Sequence, residues 1–242
     1  MLEYPKIETL YERDAQHRVI SGRLRRPEFA LIREWLLTEK LDGTNVRVIL
    51  DRVPGAREGQ LGDAPTAQTV VRYAGRTDAA QLPGPLLSWL QTCLPVDVVA
   101  GAFDADTRVV LFGEGYGAGI QRGGAYRLTP AFRLFDVAVV SPERTWWLDW
   151  ENIGDVACKL KIRTVPVIGV LKSVDLDIGE VDRFVREFQS PTAAEHGMPP
   201  TPAEGVVART DPPLFMRNGA PLRWKLKRRD FGGSATVADR GA

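Results

Sequence analysis

An α+β domain of antiparallel sheet flanked by helices is the fold this 242-residue sequence predicts. Three observations predict it. Short segments that alternate in polarity or carry β-branched runs recur along the chain, most of them bounded by Gly, Pro or Asp. A few patches with helical periodicity interrupt those segments. The apolar fraction of 44%, with 17 prolines and 23 glycines, describes a loop-rich globular chain with a sizeable core.

The expected strands cover residues 39–50, 69–75, 96–100, 107–113, 133–140, 165–174, 204–209 and 222–227. Leu86, Leu87, Leu90 and Leu94 have the period of a helix, as do Ile153, Val156, Ala157 and Leu160. A third helix is signalled by Asp177-Ile178-Gly179-Glu180, which resembles a capping box, followed by Val181, Phe184, Val185 and Phe188. All three are expected to face the core. Residues 54–68 read as a long hairpin excursion and 189–203, rich in Pro, Thr and Ala, as a loop. Residues 232–242 are small and polar and read as a frayed tail.

Lys and Arg number 32 against 31 Asp and Glu, a net charge of +1, so no global charge advertises nucleic acid. A polyanion site must be local, and residues 223–229 (Arg-Trp-Lys-Leu-Lys-Arg-Arg) are the obvious place, although such a run is by default a solvated basic strand. Cys93 and Cys158 lack any C-x-x-C spacing and fit buried free thiols in a reducing compartment. His17 and His196 are too few to build a zinc site and are expected at the surface. No signal peptide or apolar span of about 20 residues appears, which points to a cytoplasmic protein without a membrane partner. A strand–G-x-G-x-x-G–helix unit and a Walker loop are both missing from the sequence, so neither familiar nucleotide site is supported.

The hexamer Lys40-Leu41-Asp42-Gly43-Thr44-Asn45 puts a lysine just after an apolar run, at the mouth of a tight turn. A lysine amine buried beside cations can lose its proton and become a nucleophile. The same string also suits an ordinary surface turn. Further along, Gly75-Arg76-Thr77 follows a strand. Glu114 and Tyr116 lie among the alternating glycines of 113–119, where a backbone can pass close to a ligand or simply form a flexible turn. Phe132-Arg133-Leu134-Phe135-Asp136 is an alternating strand whose aromatics suit a core, with one of them able to stack on a purine instead. Glu204 opens an apolar strand, and Lys225 and Lys227 share one face of another. Such a lysine pair can clamp a phosphate and disfavour the charged form of a third amine nearby.

Taken in order, Lys-x-Asp-Gly-x-Asn, Phe-Gly-Glu, Phe-Asp, Glu-Gly-Val-Val and Lys-x-Lys resemble the covalent nucleotidyltransferase superfamily of polynucleotide ligases and mRNA capping guanylyltransferases. The resemblance covers residues 40–227. Asn45 stands where DNA ligases and capping enzymes typically have arginine, and Gly115 to Gln121, Tyr126 and Phe-x-x-Phe-Asp look like the RNA ligase 2 type. The opening residues 4–13 also resemble N-termini in that group.

The resemblance implies a nucleotidyltransferase (adenylyltransferase) domain over residues 1–231 with the nucleotide pocket between its sheets. One departure is that members commonly carry an extra C-terminal helical or OB-like domain, whereas only about 15 residues follow Lys227 here. The expectation is a minimal catalytic core, with residues 232–242 a flexible tail and no separate OB or helical C-terminal domain. The resemblance implies ATP as AMP donor and Mg²⁺ (or Mn²⁺). Lys40 would be the nucleophile, with Lys225 and Lys227 on the α-phosphate and Glu204 as the metal-linked acid. Arg76 and Glu114 would hold ribose hydroxyls, Phe135 would stack on adenine, and Glu39 and Leu41 would lie near the adenine edge. Asp42 and Asn45 would order the site around Lys40, and Asp136 would be a further supporting residue. The implied partner is RNA with 5′-phosphate and 3′-OH ends, a nicked duplex included, and no obligate protein partner is implied. A DNA or mixed-substrate nick-sealing ligase, a GTP-using capping enzyme and an inactive RNA-end-binding relative stay open as alternatives.

Overall fold

The computed structural model of the chain describes residues 2–54, 67–104, 107–172 and 179–231. In chain order its strands are β1 (Glu8–Thr9), β2 (Tyr11–Arg13), β3 (Val19–Leu24), β4 (Glu34–Lys40), β5 (Thr44–Pro54), β6 (Ala67–Ala74) and β7 (Arg108–Tyr116). They continue as β8 (Ala131–Val140), β9 (Thr145–Trp147), β10 (Arg163–Thr164), β11 (Val167–Lys172), β12 (Gly205–Arg209) and β13 (Arg223–Lys227). The helices are α1 (Gly84–Cys93), α2 (Val96–Gly101), α3 (Trp150–Lys159), α4 (Gly179–Glu187) and α5 (Pro191–Glu195). The stretch expected to be one domain divides into two compact units. One comprises Met1–Tyr4 and Gly43–Val165, the other Pro5–Asp42 and Pro166–Ala242.

In the first unit a six-stranded sheet runs β10-β8-β7-β5-β6, with β9 paired to β8. Strand alternation sorts β5 by face. Val46, Val48 and Leu50 join a buried cluster with Leu86 and Leu90 of α1 and with Ile153, Val156 and Ala157 of α3. The opposite face carries Asn45, Arg47 and Ile49, and the last packs with Val110, Phe112, Ala138 and Trp147. Asp149 caps α3, its carboxylate accepting from Asn152 N at 2.9 Å.

In the second unit a five-stranded sheet runs β1-β13-β12-β4-β11, and β2–β3 form a separate hairpin. The β1–β13 pair is parallel, and the β12–β13, β12–β4 and β11–β4 pairs are antiparallel. One face of this sheet is a core of Trp35, Leu37, Val206, Ala208, Trp224 and Leu226, covered by Val181 and Val185 of α4.

Several expectations are corrected. The single strand over 39–50 is two strands in different sheets, because the chain leaves β4 at Lys40 and resumes in β5 at Thr44. Residues 96–100 form α2 rather than a strand. Pro95 starts the helix, Val99 N donates to Pro95 O at 3.0 Å, and only Val99 of the three valines is buried, so a one-sided burial outweighs β-branched propensity. The expected loop 189–203 contains α5, capped by Ser190. Phe184 is 40% exposed, although the helical pattern put it on the core face. Cys93 and Cys158 are free but exposed, on helices whose buried positions are Leu86 and Leu90 in α1 and Ile153, Val156 and Ala157 in α3. Residues 55–66, 173–174 and 232–242, together with Asp177 and Ile178, lie outside the described residues.

Candidate active site

Lys40 is the last residue of β4. In register it lies opposite Gly205 of β12, which in turn lies opposite Lys227 of β13. The next row on the same face is Thr38, Val207 and Lys225. Three strand ends thus bring one amine from each flank to a glycine, and Glu204, immediately before that glycine, lies between them. Its carboxylate accepts from Lys40 Nζ at 2.6 Å on Oε2 and from Lys227 Nζ at 2.6 Å on Oε1. Lys40 Nζ also donates to Leu41 O at 3.3 Å.

The cluster is largely removed from water, with side-chain exposures of 20% for Lys40, 15% for Lys227 and 10% for Glu204. Burial alone would raise the Glu204 carboxyl. The charges and hydrogen bonds of Lys40 and Lys227 together outweigh it and hold the carboxyl below its ordinary value of 4.5. A carboxyl depressed on folding stabilises the native state above its unfolded pKa, and that contribution is lost as pH falls through the folded pKa. The unfolding midpoint of the native chain should therefore exceed that of Glu204→Gln at pH 7. The gap should close below pH 4.5, measured by thermal melts at each pH.

Gly205 is dictated by backbone approach. A Cβ there would sit 2.0 Å from Leu226 O and 2.7 Å from Lys227 Cα, both main-chain atoms that cannot swing aside. Gly205→Ala is expected to separate β12 from β13 and destabilise the unit by about 2 kcal/mol or more, read by denaturant unfolding. The same strain displaces Glu204 from the two amines. Asp230 braces the far end of the row, accepting from Lys227 N at 3.0 Å and from Arg13 Nη2 at 2.8 Å.

Glu39 is adjacent to Lys40 in sequence but lies on the opposite face of β4. It is 1% exposed, and its carboxylate accepts from Ser190 Oγ, from Thr192 N at 3.0 Å and from Thr192 Oγ1 at 2.6 Å. Its side chain anchors the start of α5. Leu41 is 2% exposed, and Asp42 is half-buried.

The remaining expected residues belong to the other unit. Asn45 of β5 and Glu114 of β7 are register partners. Glu114 Oε1 accepts from Gly43 N at 3.1 Å, and a Cβ at Gly43 would lie 2.2 Å from Gly115 O, so the glycine permits this contact. Asn45 Oδ1 is buried and has no hydrogen-bond partner among the described residues. Phe135 is the extra residue of a bulge, since Phe112 pairs with Asp136 and Gly113 with Leu134. That bulge turns both Phe135 and Asp136 toward Tyr4. The Tyr4 and Phe135 rings meet edge-on at 5.0 Å, and Tyr4 Oη donates to Asp136 Oδ2 at 2.8 Å. Arg76 is exposed on the segment after β6.

Sequence reasoning missed Arg47. It is fully buried, donating to Gly75 O at 2.7 Å, to Leu2 O at 3.0 Å and to Asp78 Oδ1 at 2.8 Å. It therefore fixes the segment on both sides of Arg76. The signal was a charged residue inside the apolar run Val46 to Leu50.

A family model described as RNA ligase matches residues 33–227. Solved structures share the fold. The Naegleria gruberi RNA ligase with PPi is 15% identical, with a TM-score of 0.58 over 95% of this chain and 57% of that one. A lysine-to-methionine mutant of the same ligase, solved with AMP and Mn, is 13% identical with a TM-score of 0.58 over 95% and 57%. An archaeal ATP-dependent RNA ligase is 17% identical, with a TM-score of 0.56 over 96% of this chain and 49% of that one. The chain thus spans about half the length of these relatives. No relative is found among curated proteins. With a family match that runs through every strand bearing the Lys40, Glu204 and Lys227 cluster, the chain belongs to the RNA ligase family.

Proposed function

We propose that the chain is an ATP-dependent RNA ligase that works through a lysyl-AMP intermediate. The observation that carries this reading is the Glu204 carboxylate bridging Lys40 and Lys227 at 2.6 Å each. That arrangement holds a potential nucleophile, a phosphate-binding cation and an acid together at adjoining strand ends.

Lys40 Nζ, once it has released its proton, attacks the α-phosphorus of ATP. A P–N bond forms, the bond to the bridging oxygen breaks, and pyrophosphate leaves. An RNA 5′-phosphate oxygen then attacks the same phosphorus and displaces Lys40, giving adenylylated RNA. A 3′-OH finally attacks the 5′-phosphate, loses its proton and expels AMP. Lys227 and Lys225 supply positive charge to the α-phosphate oxygens as negative charge builds on them. Glu204 has to release Lys40 before the amine can act, so its contact with Lys40 belongs to the resting state.

Among the described residues no group of three or more His, Cys, Asp or Glu side chains could hold a metal. Mg²⁺ commonly takes one or two carboxylates and completes its shell with water and substrate phosphates. Glu204, held ionised, fits that role, and bound Mg²⁺ or Mn²⁺ neutralises phosphate charge. Glu114 and Asn45 present oxygens suited to ribose hydroxyls, Arg47 fixes the backbone on both sides of Arg76, and Phe135 offers a ring to adenine. The Naegleria ligase solved with ATP and Mn supports the choice of nucleotide and ion. No helix of the described residues is long and apolar enough to cross a membrane.

The test is incubation with Mg²⁺ and each nucleoside triphosphate, followed by intact mass. An adduct with ATP supports the reading, an adduct only with GTP replaces it with capping chemistry, and no adduct with any nucleotide sinks it. Nicked RNA, DNA and hybrid duplexes, and free RNA ends, then assign the substrate that is sealed.

A further inference from the structure

We infer that a basic groove within the second unit holds the sugar-phosphate backbone of the RNA strand that carries the 5′-phosphate. The inference rests on the ligase reading above and names where that substrate lies. The groove encloses about 790 Å³. Its floor is β13, where Lys225 and Lys227 point from the same sheet face that carries Lys40. Arg13 and Arg229 flank it on one side, and Lys6, Arg25 and Arg26 line it from the N-terminal segment and the end of the β2–β3 hairpin. Seven cationic side chains thus meet two carboxylates in a chain whose net charge is only +1. Charge so concentrated is the electrostatic footprint of a polyanion.

The two acids organise the cations rather than cancel them. Glu8 accepts from Arg26 through both oxygens, and Arg25 Nε lies 3.9 Å from it. Asp230 accepts from Arg13 at 2.8 Å and from the Lys227 amide at 3.0 Å. Guanidinium groups held this way keep their remaining N–H donors in a fixed fork, the geometry that suits phosphate oxygens.

Size and lining decide which phosphate ligand fits. The cavity far exceeds a pyrophosphate ion, and its cations extend from the reactive row out to the exposed Arg25 and Arg229. Among the described residues no aromatic ring lines it, and the apolar part is Pro5, Ile7, Met216 and Ala220. Bases therefore have nothing to stack on, and recognition runs through the backbone without regard to sequence. The 5′-phosphate sits at Lys225 and Lys227, and the following phosphates lie along the arginines.

The experiment measures binding of fluorescent 5′-phosphorylated single-stranded RNA by anisotropy across a salt series. It compares the native chain, Arg25→Ala, Arg229→Ala and, as a control on α4 outside the groove, Arg183→Ala. Arg25→Ala and Arg229→Ala are each expected to weaken binding several-fold, equally for unrelated sequences. Each should lower the slope of log affinity against log salt by about 0.7, and Arg183→Ala should do neither. Unchanged affinity and slope in the two groove variants would overturn the inference, as would an equal loss in Arg183→Ala. A fall in lysyl-AMP yield with RNA affinity intact would also overturn it, making the groove a site for the outer phosphates of ATP. RNA binding needs no Lys40 chemistry. A chain that binds RNA with this salt dependence but forms no AMP adduct would remove the ligase reading and leave the groove standing.

Discussion

Lys40→Ala is expected to abolish the AMP adduct and to reduce ATP-dependent sealing by about 10⁴-fold or more. The size follows from the role. Removing the nucleophile of a covalent pathway leaves only the direct reaction, without an alternative amine at the same strand end. Lys227, the nearest cation through their shared carboxylate, starts from the other flank of Gly205. The loss should be specific to steps that make and consume the lysine adduct. RNA supplied already adenylylated at its 5′ end should still be sealed, because the final attack of the 3′-OH does not use Lys40. A sealing assay with ATP and with adenylylated RNA, run side by side, checks both halves. Equal loss in the two assays would mean that the substitution damaged the fold or the substrate surface rather than the nucleophile.

Glu204→Gln is expected to slow adduct formation by about 100-fold or more and to raise the Mg²⁺ concentration needed for half-maximal rate. Two effects oppose each other here. Loss of the carboxylate leaves Lys40 and Lys227 as neighbouring like charges, which favours the neutral, nucleophilic form of Lys40. That gain is limited to about tenfold for each pKa unit. The loss of the acid that bridges the two amines would cost the ion the ligand proposed for it and the phosphates their positioning, and groups of this kind are worth about 10²–10³ in rate. The slower outcome should win. Stability should fall as well. Breaking a buried pair costs about 3–5 kcal/mol, and partial exposure of the lysines reduces this to about 1–3 kcal/mol. Rates measured over a Mg²⁺ titration, with a denaturation curve on the same preparation, separate the two consequences. A Glu204→Gln chain with native rate and native Mg²⁺ dependence would remove Glu204 from the proposed chemistry.

The parts of the site legible in the sequence are those where one residue type at a strand end suffices for a chemical role. Lys40, Glu204 and Lys227 are of this kind: strand pairing sets Lys40 and Lys227 on either flank of Gly205, and Glu204 precedes that glycine. Glu39 shows the limit of adjacency. It neighbours Lys40 in the chain, yet alternation turns its side chain to the far face, where Ser190 and Thr192 claim it. Arg47 was missed because a buried guanidinium is recognisable only once its three acceptors, distant in sequence, are seen together. The split of 39–50 into β4 and β5 was marked only by the turn-like Asp42-Gly43, and sheet membership is set by partners far along the chain. β1, at two residues, is too short to carry periodicity and exists through its pairing with β13. Residues 96–100 read as a strand from composition alone, and the single buried valine of α2 explains why they are not.

Lys40 is the residue expected to carry the nucleotide. Peptide-level tandem mass spectrometry of the native chain after incubation with ATP and Mg²⁺ tests it most directly. AMP is expected on Lys40 and should be lost on addition of pyrophosphate. AMP on any other residue, or efficient sealing of RNA with no adduct at Lys40, would contradict it.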